Sequence, residues 1–248
     1  MADGTERLDV ALVTRGFVAT RARARDAILR GCVQVDGETA AKPGQAVSAE
    51  ADIAIDDPAA GFASRGALKL IAALDTFGLD PAQRIALDVG ASTGGFTDVL
   101  LARGAHTVYA VDVGHGQLLP RLAADPRVVD LSGRDARMLS FANVTGPVTA
   151  IVADVSFIGL AKALPAALAL AAPGAWLAAL VKPQFELEPH AIGKGGIVAN
   201  PADVTRALES VTGWIASLPK WRVHGTCRSP ITGKDGNIEF LIAAVHDA

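Results

Sequence analysis

The amino-acid sequence predicts an α/β fold: a mostly parallel seven-stranded sheet with an antiparallel last strand, preceded by a small α+β unit. Three observations carry that expectation. From Ser64 onward, short apolar runs alternate with amphipathic stretches, the pattern of a sheet covered by helices on both faces. The first apolar run opens directly into a glycine-rich loop, Gly90 to Gly95. Ahead of it, the acidic, turn-rich segment Asp56-Asp57-Pro58-Ala59-Ala60-Gly61 sets an N-terminal unit, residues 1–61, apart from a core of residues 62–248.

In the N-terminal unit, Leu8, Ala11, Leu12 and Val13 fit one amphipathic helix. Thr20 caps a second over residues 21–29, stopped at Gly31. Residues 33–38 read as a short hairpin turned by Asp36-Gly37. In the core, a helix over 65–77 precedes the first strand at 85–89. Strands follow at 106–111, 128–131, 149–153 and 175–181. A helix over 201–218 leads to a closing antiparallel pair at 221–224 and 238–243.

At 248 residues the chain suits one small module and one mid-sized core. Its net charge of -3 excludes a globally basic nucleic-acid binder, so any RNA affinity has to come from local patches. Cys32 and Cys227 are too few for a disulfide framework and lack the spacing of a metal site; both read as buried small apolar residues, and no metal is expected. Arg7, Asp9 and Arg15 interrupt any secretory signal, which points to a cytoplasmic protein. The uncharged run 163–181 is long enough to test as a membrane span, but Pro165, Pro173 and Gly174 break it. It reads instead as a buried helix ending near Ala172, a Pro-Gly turn, and a central strand from Ala175.

The loop Asp88-Val89-Gly90-Ala91-Ser92-Thr93-Gly94-Gly95-Phe96 joins the first strand to a helix, and its glycines let backbone approach a ligand. Ser92 stands where the dinucleotide fingerprint requires its second glycine, and the Lys-Ser/Thr of a phosphate-binding loop is missing. That favours a ligand without a pyrophosphate, such as S-adenosylmethionine, over a plain tight turn. Asp112, with Val113 beside it, ends the second strand about twenty residues on, where an acid accepts both hydroxyls of a ribose. Asp135 and Ala136 follow the third strand; Asp135 has two readings, a contact to an adenine amino group or a helix-cap aspartate.

Asp154 and Lys182 end the fourth and fifth strands, at the carboxyl edge where this architecture places its chemistry. Lys69, on the helix before the first strand, could fold back over the same edge, although alone it reads as a surface lysine. Glu239, early in the last strand, faces away from Ile238 and Phe240 and alone reads as solvent-facing.

Taken together, Ser64-Arg65-Gly66-Ala67-Leu68-Lys69-Leu70, Asp88 to Phe96, Val111 to Leu118, Ala153 to Ile158, Val181 to Glu186 and Gly236-Asn237-Ile238-Glu239-Phe240 resemble the TlyA family, some of whose members carry the name hemolysin. The resemblance covers nearly the whole chain. It implies an FtsJ-like, Rossmann-like methyltransferase core that uses S-adenosylmethionine to methylate a ribose 2′-hydroxyl of ribosomal RNA, with cytidine the expected nucleoside. It also implies that Lys69, Asp154, Lys182 and Glu239 form a Lys-Asp-Lys-Glu tetrad. A ribose hydroxyl is a poor nucleophile at neutral pH, so transfer needs a base and an aligned geometry. Lys182 is the candidate base, its proton loosened by burial and by a second cation, Lys69. The rival assignment gives the tetrad an orienting role and lets water take the proton.

Arg7-Leu8-Asp9, Arg15-Gly16, Arg21-Ala22-Arg23-Ala24-Arg25 and Arg30 to Gly37 resemble the RNA-binding domain of the ribosomal protein S-four type. Arg21 and Arg25 share a helix face, and with Arg7, Arg15, Arg30 and the core's Arg65 they are the candidate RNA contacts; a solvated arginine face is the alternative. The chain departs from the family after Phe185-Glu186, where Leu187-Glu188-Pro189-His190 precedes Gly193-Lys194-Gly195-Gly196. The last strand lies close to Ala248, and shorter family members are associated with large-subunit RNA, so the large ribosomal subunit is the expected partner. The competing functions are a membrane-active hemolysin, a non-catalytic ribosome-binding factor and a small-molecule methyltransferase.

Overall fold

The computed structural model describes residues 4–233 and 235–247. The chain divides into two compact units, Met1–Gly61 and Phe62–Ala248.

In the first unit, β1 (Glu6–Arg7) runs into α1 (Leu8–Thr14), followed by α2 (Arg21–Leu29), β2 (Val33–Val35), β3 (Glu38–Thr39), β4 (Ala46–Val47) and β5 (Ile53–Ile55). Thr20 caps α2, its hydroxyl accepting from Arg23 N at 3.3 Å. Asp36 and Gly37 both hold positive φ, 52° and 82°, the turn their pairing implies between β2 and β3. β5 pairs with the other edge of β2, a third strand that the sequence pattern did not show. Leu8, Leu12, Ala27 and Ile28 of the helices pack on Val33, Val47 and Ile53.

In the second unit, α3 (Ala67–Phe77) leads to β6 (Ile85–Val89), α4 (Gly95–Ala102), β7 (Thr107–Asp112), α5 (Pro120–Ala123), β8 (Val128–Ser132) and β9 (Val148–Ala153). Then come α6 (Leu160–Ala163), α7 (Pro165–Leu168), β10 (Ala171–Val181), α8 (Pro183–Glu186), α9 (Pro201–Ser217), β11 (Trp221–Arg228) and β12 (Phe240–His246). The sheet order is β11-β12-β10-β9-β6-β7-β8. β6 to β10 are mutually parallel, and β12 runs antiparallel to both β10 and β11. Alternation splits the apolar residues into two layers: Leu87, Ile151, Leu177 and Ile242 pack with α9, and Ala86, Val152, Leu180 and Leu241 pack with α3 and α4. This is a Rossmann-like α/β fold, with the carboxyl ends of β6, β7, β9 and β10 on one rim.

Four expectations need correction. Residues 163–172 are not one helix: a proline contributes no N–H, so the chain makes two separate turns, α6 and α7. Pro173-Gly174 does not precede the strand but lies inside β10, exposed at its start, where the register against β9 shifts between Ala171 and Trp176. Glu239 lies in the approach to β12 rather than within it. Cys32 and Cys227 are half-buried free thiols, and burial pushes both above the usual thiol value. Among the described residues, no helix is long and apolar enough to cross a membrane.

Candidate active site

The β6–α4 loop turns at Gly90, whose φ is 86°. A Cβ there would lie 2.5 Å from the Asp154 carbonyl oxygen, so only glycine lets the loop lie against the end of β9. At the end of β7 the Asp112 carboxylate accepts from Ser92 N at 2.9 Å and from Gly114 N at 2.8 Å. Two backbone amides thus hold one acid beside the loop. A cavity of about 390 Å³ opens there, within the usual range for small-molecule sites, lined by Gly90, Ser92, Asp112, Val113, Asp135 and Ala136 among others. A carboxylate at one end and bare glycine backbone along the wall suit a nucleoside with an uncharged or cationic tail.

Asp135 caps a 3-10 turn, Ala136–Met138, by accepting from Arg137 N at 2.9 Å, and it lines the same cavity. Asp88 and Gly94, also expected at the cofactor, line neither this cavity nor its neighbour. Alternation along β6 turns Asp88 toward α4, where Thr97 donates to its Oδ2 at 2.7 Å. Burial pushes its carboxyl up to about 7. Gly94 lies where a Cβ would meet Leu118 and Leu122.

A second cavity, of about 680 Å³, adjoins the first and shares Gly90, Ser92, Asp154, Ser156 and Phe157 with it. Ala91, Thr93, Gly95 and Phe96 of the loop and Arg65 line it, as do Lys69, Asp154, Lys182 and Glu239. The four candidate catalytic residues, from separate parts of the chain, therefore all line this cavity. Lys182 ends β10, its Nζ 2.6 Å from Asp154 Oδ1 and donating to Ser156 Oγ at 2.9 Å. Lys69, from α3, places its Nζ 2.6 Å from Glu239 Oε2. That pair is the more sealed: Glu239 is 2% exposed, against 22% for Asp154.

Several residues of this wall were not foreseen. Phe157 is 91% exposed, holds a φ of 66° that a bulky side chain rarely adopts, and sits 5.2 Å ring to ring from Phe185. An exposed, strained aromatic on the rim of both cavities is a contact surface rather than core. Glu186 anchors this segment: its Oε1 accepts from Leu160 N at 2.9 Å, and burial raises its carboxyl. Gln184 lines the same cavity with its buried Oε1 unpaired among the described residues. Asn237 ties down the segment from Gly193 to Val198, donating to Gly196 O at 2.8 Å and accepting from Val198 N at 3.0 Å. The residues after Glu186 that depart from the family pattern form a short 3-10 turn, Pro189–Ala191.

In the N-terminal unit the arginines divide. Arg30 is 12% exposed and bridges Asp26 and Asp57, and Arg15 pairs with Glu6 and donates to the Ser48 and Ala51 carbonyls. Both therefore brace the unit internally instead of joining an outward patch. Arg7, Arg21 and Arg25 are exposed.

Fold and site together define the class: a methyltransferase, with a crevice at the β6 loop and a lysine-lined cavity against it. The chain belongs to the FtsJ-like methyltransferases, whose family model matches residues 62–246, and within them to the TlyA family. An S4 domain model matches residues 6–53. The chain is 44% identical to the Mycobacterium tuberculosis protein named 16S/23S rRNA (cytidine-2'-O)-methyltransferase TlyA, over 95% of this chain and 88% of the relative. It is 36% identical to Hemolysin A of Brachyspira hyodysenteriae, over 95% and 98% of the two chains. A solved structure from Streptococcus thermophilus, provisionally assigned as a hemolysin, superposes with a TM-score of 0.77 at 38% identity, covering 99% of this chain and 90% of that one. The methyl donor of the fold is S-adenosylmethionine, and the crevice at Gly90 and Asp112 fits its nucleoside.

Proposed function

We propose that this chain methylates the ribose 2′-hydroxyl of a cytidine in ribosomal RNA, with large-subunit RNA as the target. The carrying observation is the junction of the two cavities at Gly90, Ser92, Asp154, Ser156 and Phe157. A nucleoside crevice meets a lysine-lined cavity across one strip of residues, with Lys182 beside that strip. Both ribosomal RNAs stand in the name of the M. tuberculosis relative. The S4-type unit with its exposed arginines supplies what a small-molecule methyltransferase would not need.

When bound, the sulfonium donor supplies an electrophilic methyl group. Asp112 would accept from the ribose of that nucleoside, and Asp135 and Ala136 would flank its base. On the other side of the junction, Lys182 accepts the proton of the target hydroxyl through Nζ. Asp154 and Ser156 fix where that nitrogen points, and Lys69 with Glu239 closes the far wall. Phe157, projecting from the rim, offers a face on which an unstacked RNA base can lie. Arg65 faces the same cavity as a phosphate contact.

The test is incubation with radiolabelled S-adenosylmethionine and, separately, purified small subunits, large subunits and the two naked RNAs, with mapping of the labelled nucleotide. Label on a 2′-oxygen of a large-subunit cytidine is the expected result. Label on a base or on small-subunit RNA alone, or lysis of membranes by the protein without a donor, would overturn this reading.

A further inference from the structure

Resting on the reading that the N-terminal unit binds RNA, we propose that Asp9 is a positioning residue that sets Arg7 and Arg21 as a two-guanidinium clamp for one phosphodiester of the RNA backbone. No part of Asp9 reaches solvent. Its Oδ1 accepts from Arg7 Nε at 3.0 Å, and its Oδ2 accepts from Arg7 Nη2 at 3.1 Å and Arg21 Nη2 at 3.0 Å. The guanidiniums thus cap the carboxylate from outside, and that of Arg7 holds its carboxyl down at about 2. Both arginines nevertheless stay more than half exposed, 53% and 58%.

The pairing offsets the cost of burying the Asp9 carboxylate, and it does so with guanidiniums that stay in solvent. What the arrangement does is order two flexible cations. Each guanidinium has five N–H donors, and only one edge of each is turned to Asp9, leaving the remainder free to meet an anion. Two cations and one anion leave a single positive charge, the complement of one phosphodiester. Ordering the cations in advance removes an entropy cost that binding would otherwise carry.

A second observation supports the same geometry. The Arg7 guanidinium lies across Gly44, where a Cβ would come within 2.9 Å of Nη1. The neighbouring segment is fixed to the start of α1, Leu8 N donating to Gln45 O at 2.8 Å and Asp9 N to Pro43 O at 3.0 Å. Gly44 therefore provides the flat bed on which Arg7 rests while its fork reaches Asp9.

The experiment is filter binding of full-length protein to purified 23S ribosomal RNA across a salt series, with thermal midpoints read in parallel. Asp9→Asn makes the protein more positive, so simple charge counting predicts tighter binding. Preorganisation predicts weaker binding, by about fivefold to tenfold. Arg7→Lys, which keeps the charge and loses the fork, is expected to lose as much as Arg7→Ala. Gly44→Ala, which displaces only Arg7, should weaken binding at an unchanged midpoint, and it decides the matter if Asp9→Asn lowers the midpoint. Unchanged or tighter binding by Gly44→Ala, or by Asp9→Asn at a normal midpoint, overturns the clamp. If Arg7→Ala and Arg21→Ala themselves leave affinity unchanged, the RNA reading of this unit falls instead.

Discussion

The two units use the same pairing of carboxylate and cation to opposite effect. In the N-terminal unit, Asp9 is covered and the arginines it holds face outward. In the methyltransferase unit, Asp154 and Glu239 hold lysines that are themselves only 10% and 8% exposed. The difference follows from the side chains. A guanidinium stays charged and presents a fork, which suits a phosphate met at the surface. A lysine ammonium is a compact point charge on a flexible stem, and here each is held by one carboxylate. The core lysines also differ between themselves, since Lys182 touches Ser156 at the junction of the cavities while Lys69 is closed in with Glu239.

The sharpest way to break this contrast is Lys182→Ala. Transfer measured under single turnover should fall by about 10³-fold, while titration with S-adenosylmethionine shows unchanged binding. Normal turnover would end the base assignment. Next in size, the double variant Arg7→Ala with Arg21→Ala should weaken RNA binding by about tenfold to a hundredfold and flatten its salt dependence. At saturating RNA its kcat should be that of the parent, and a lowered kcat would show that the arginines reach the chemistry.

Ser156→Ala should cost about tenfold in kcat with KM unchanged, because it removes the hydrogen bond from Lys182 Nζ to Ser156 Oγ. A pure KM effect would assign Ser156 to substrate binding. The smallest effect expected is on stability. Burial raises Asp88 to about 7, so the native chain keeps that proton to about pH 7, whereas an unfolded aspartate releases it near about pH 4. Stability from this group is therefore full at low pH and is lost as pH rises from about 4 to about 7. Asp88→Asn removes that loss, so its thermal midpoint should gain on the parent by about a few degrees between pH 5 and pH 8. Parallel midpoints would show that Asp88 is ionised or relieved by other means.

The strands and the loop were legible because their signals are local. Short continuous apolar runs marked β6 to β10, and Gly90 to Gly95 marked the turn after β6. Residues 163–174 misled because a run of alanine and leucine is apolar in any conformation, so periodicity cannot separate helix from strand. Lys69 and Glu239 lacked a local signal too. They lie far apart in sequence, and each alone resembles a surface residue; only the resemblance of the whole pattern set them together. Arg15 and Arg30 show the converse, since cations that looked available in a basic stretch find acids and carbonyls within their own unit.

Sequence by itself determined the order of the elements, the division near Gly61, the loop and the acids and lysines at strand ends, because these follow from short-range pattern and backbone chemistry. Tertiary structure alone decided which face each charge turns to. It sent Asp88 behind the loop to Thr97 and lifted Phe157 onto the rim at a positive φ. It also buried Asp9 beneath two exposed arginines. The physical reason is that a charge's role depends on its partners and on its access to water, and both are properties of packing between segments remote in the chain.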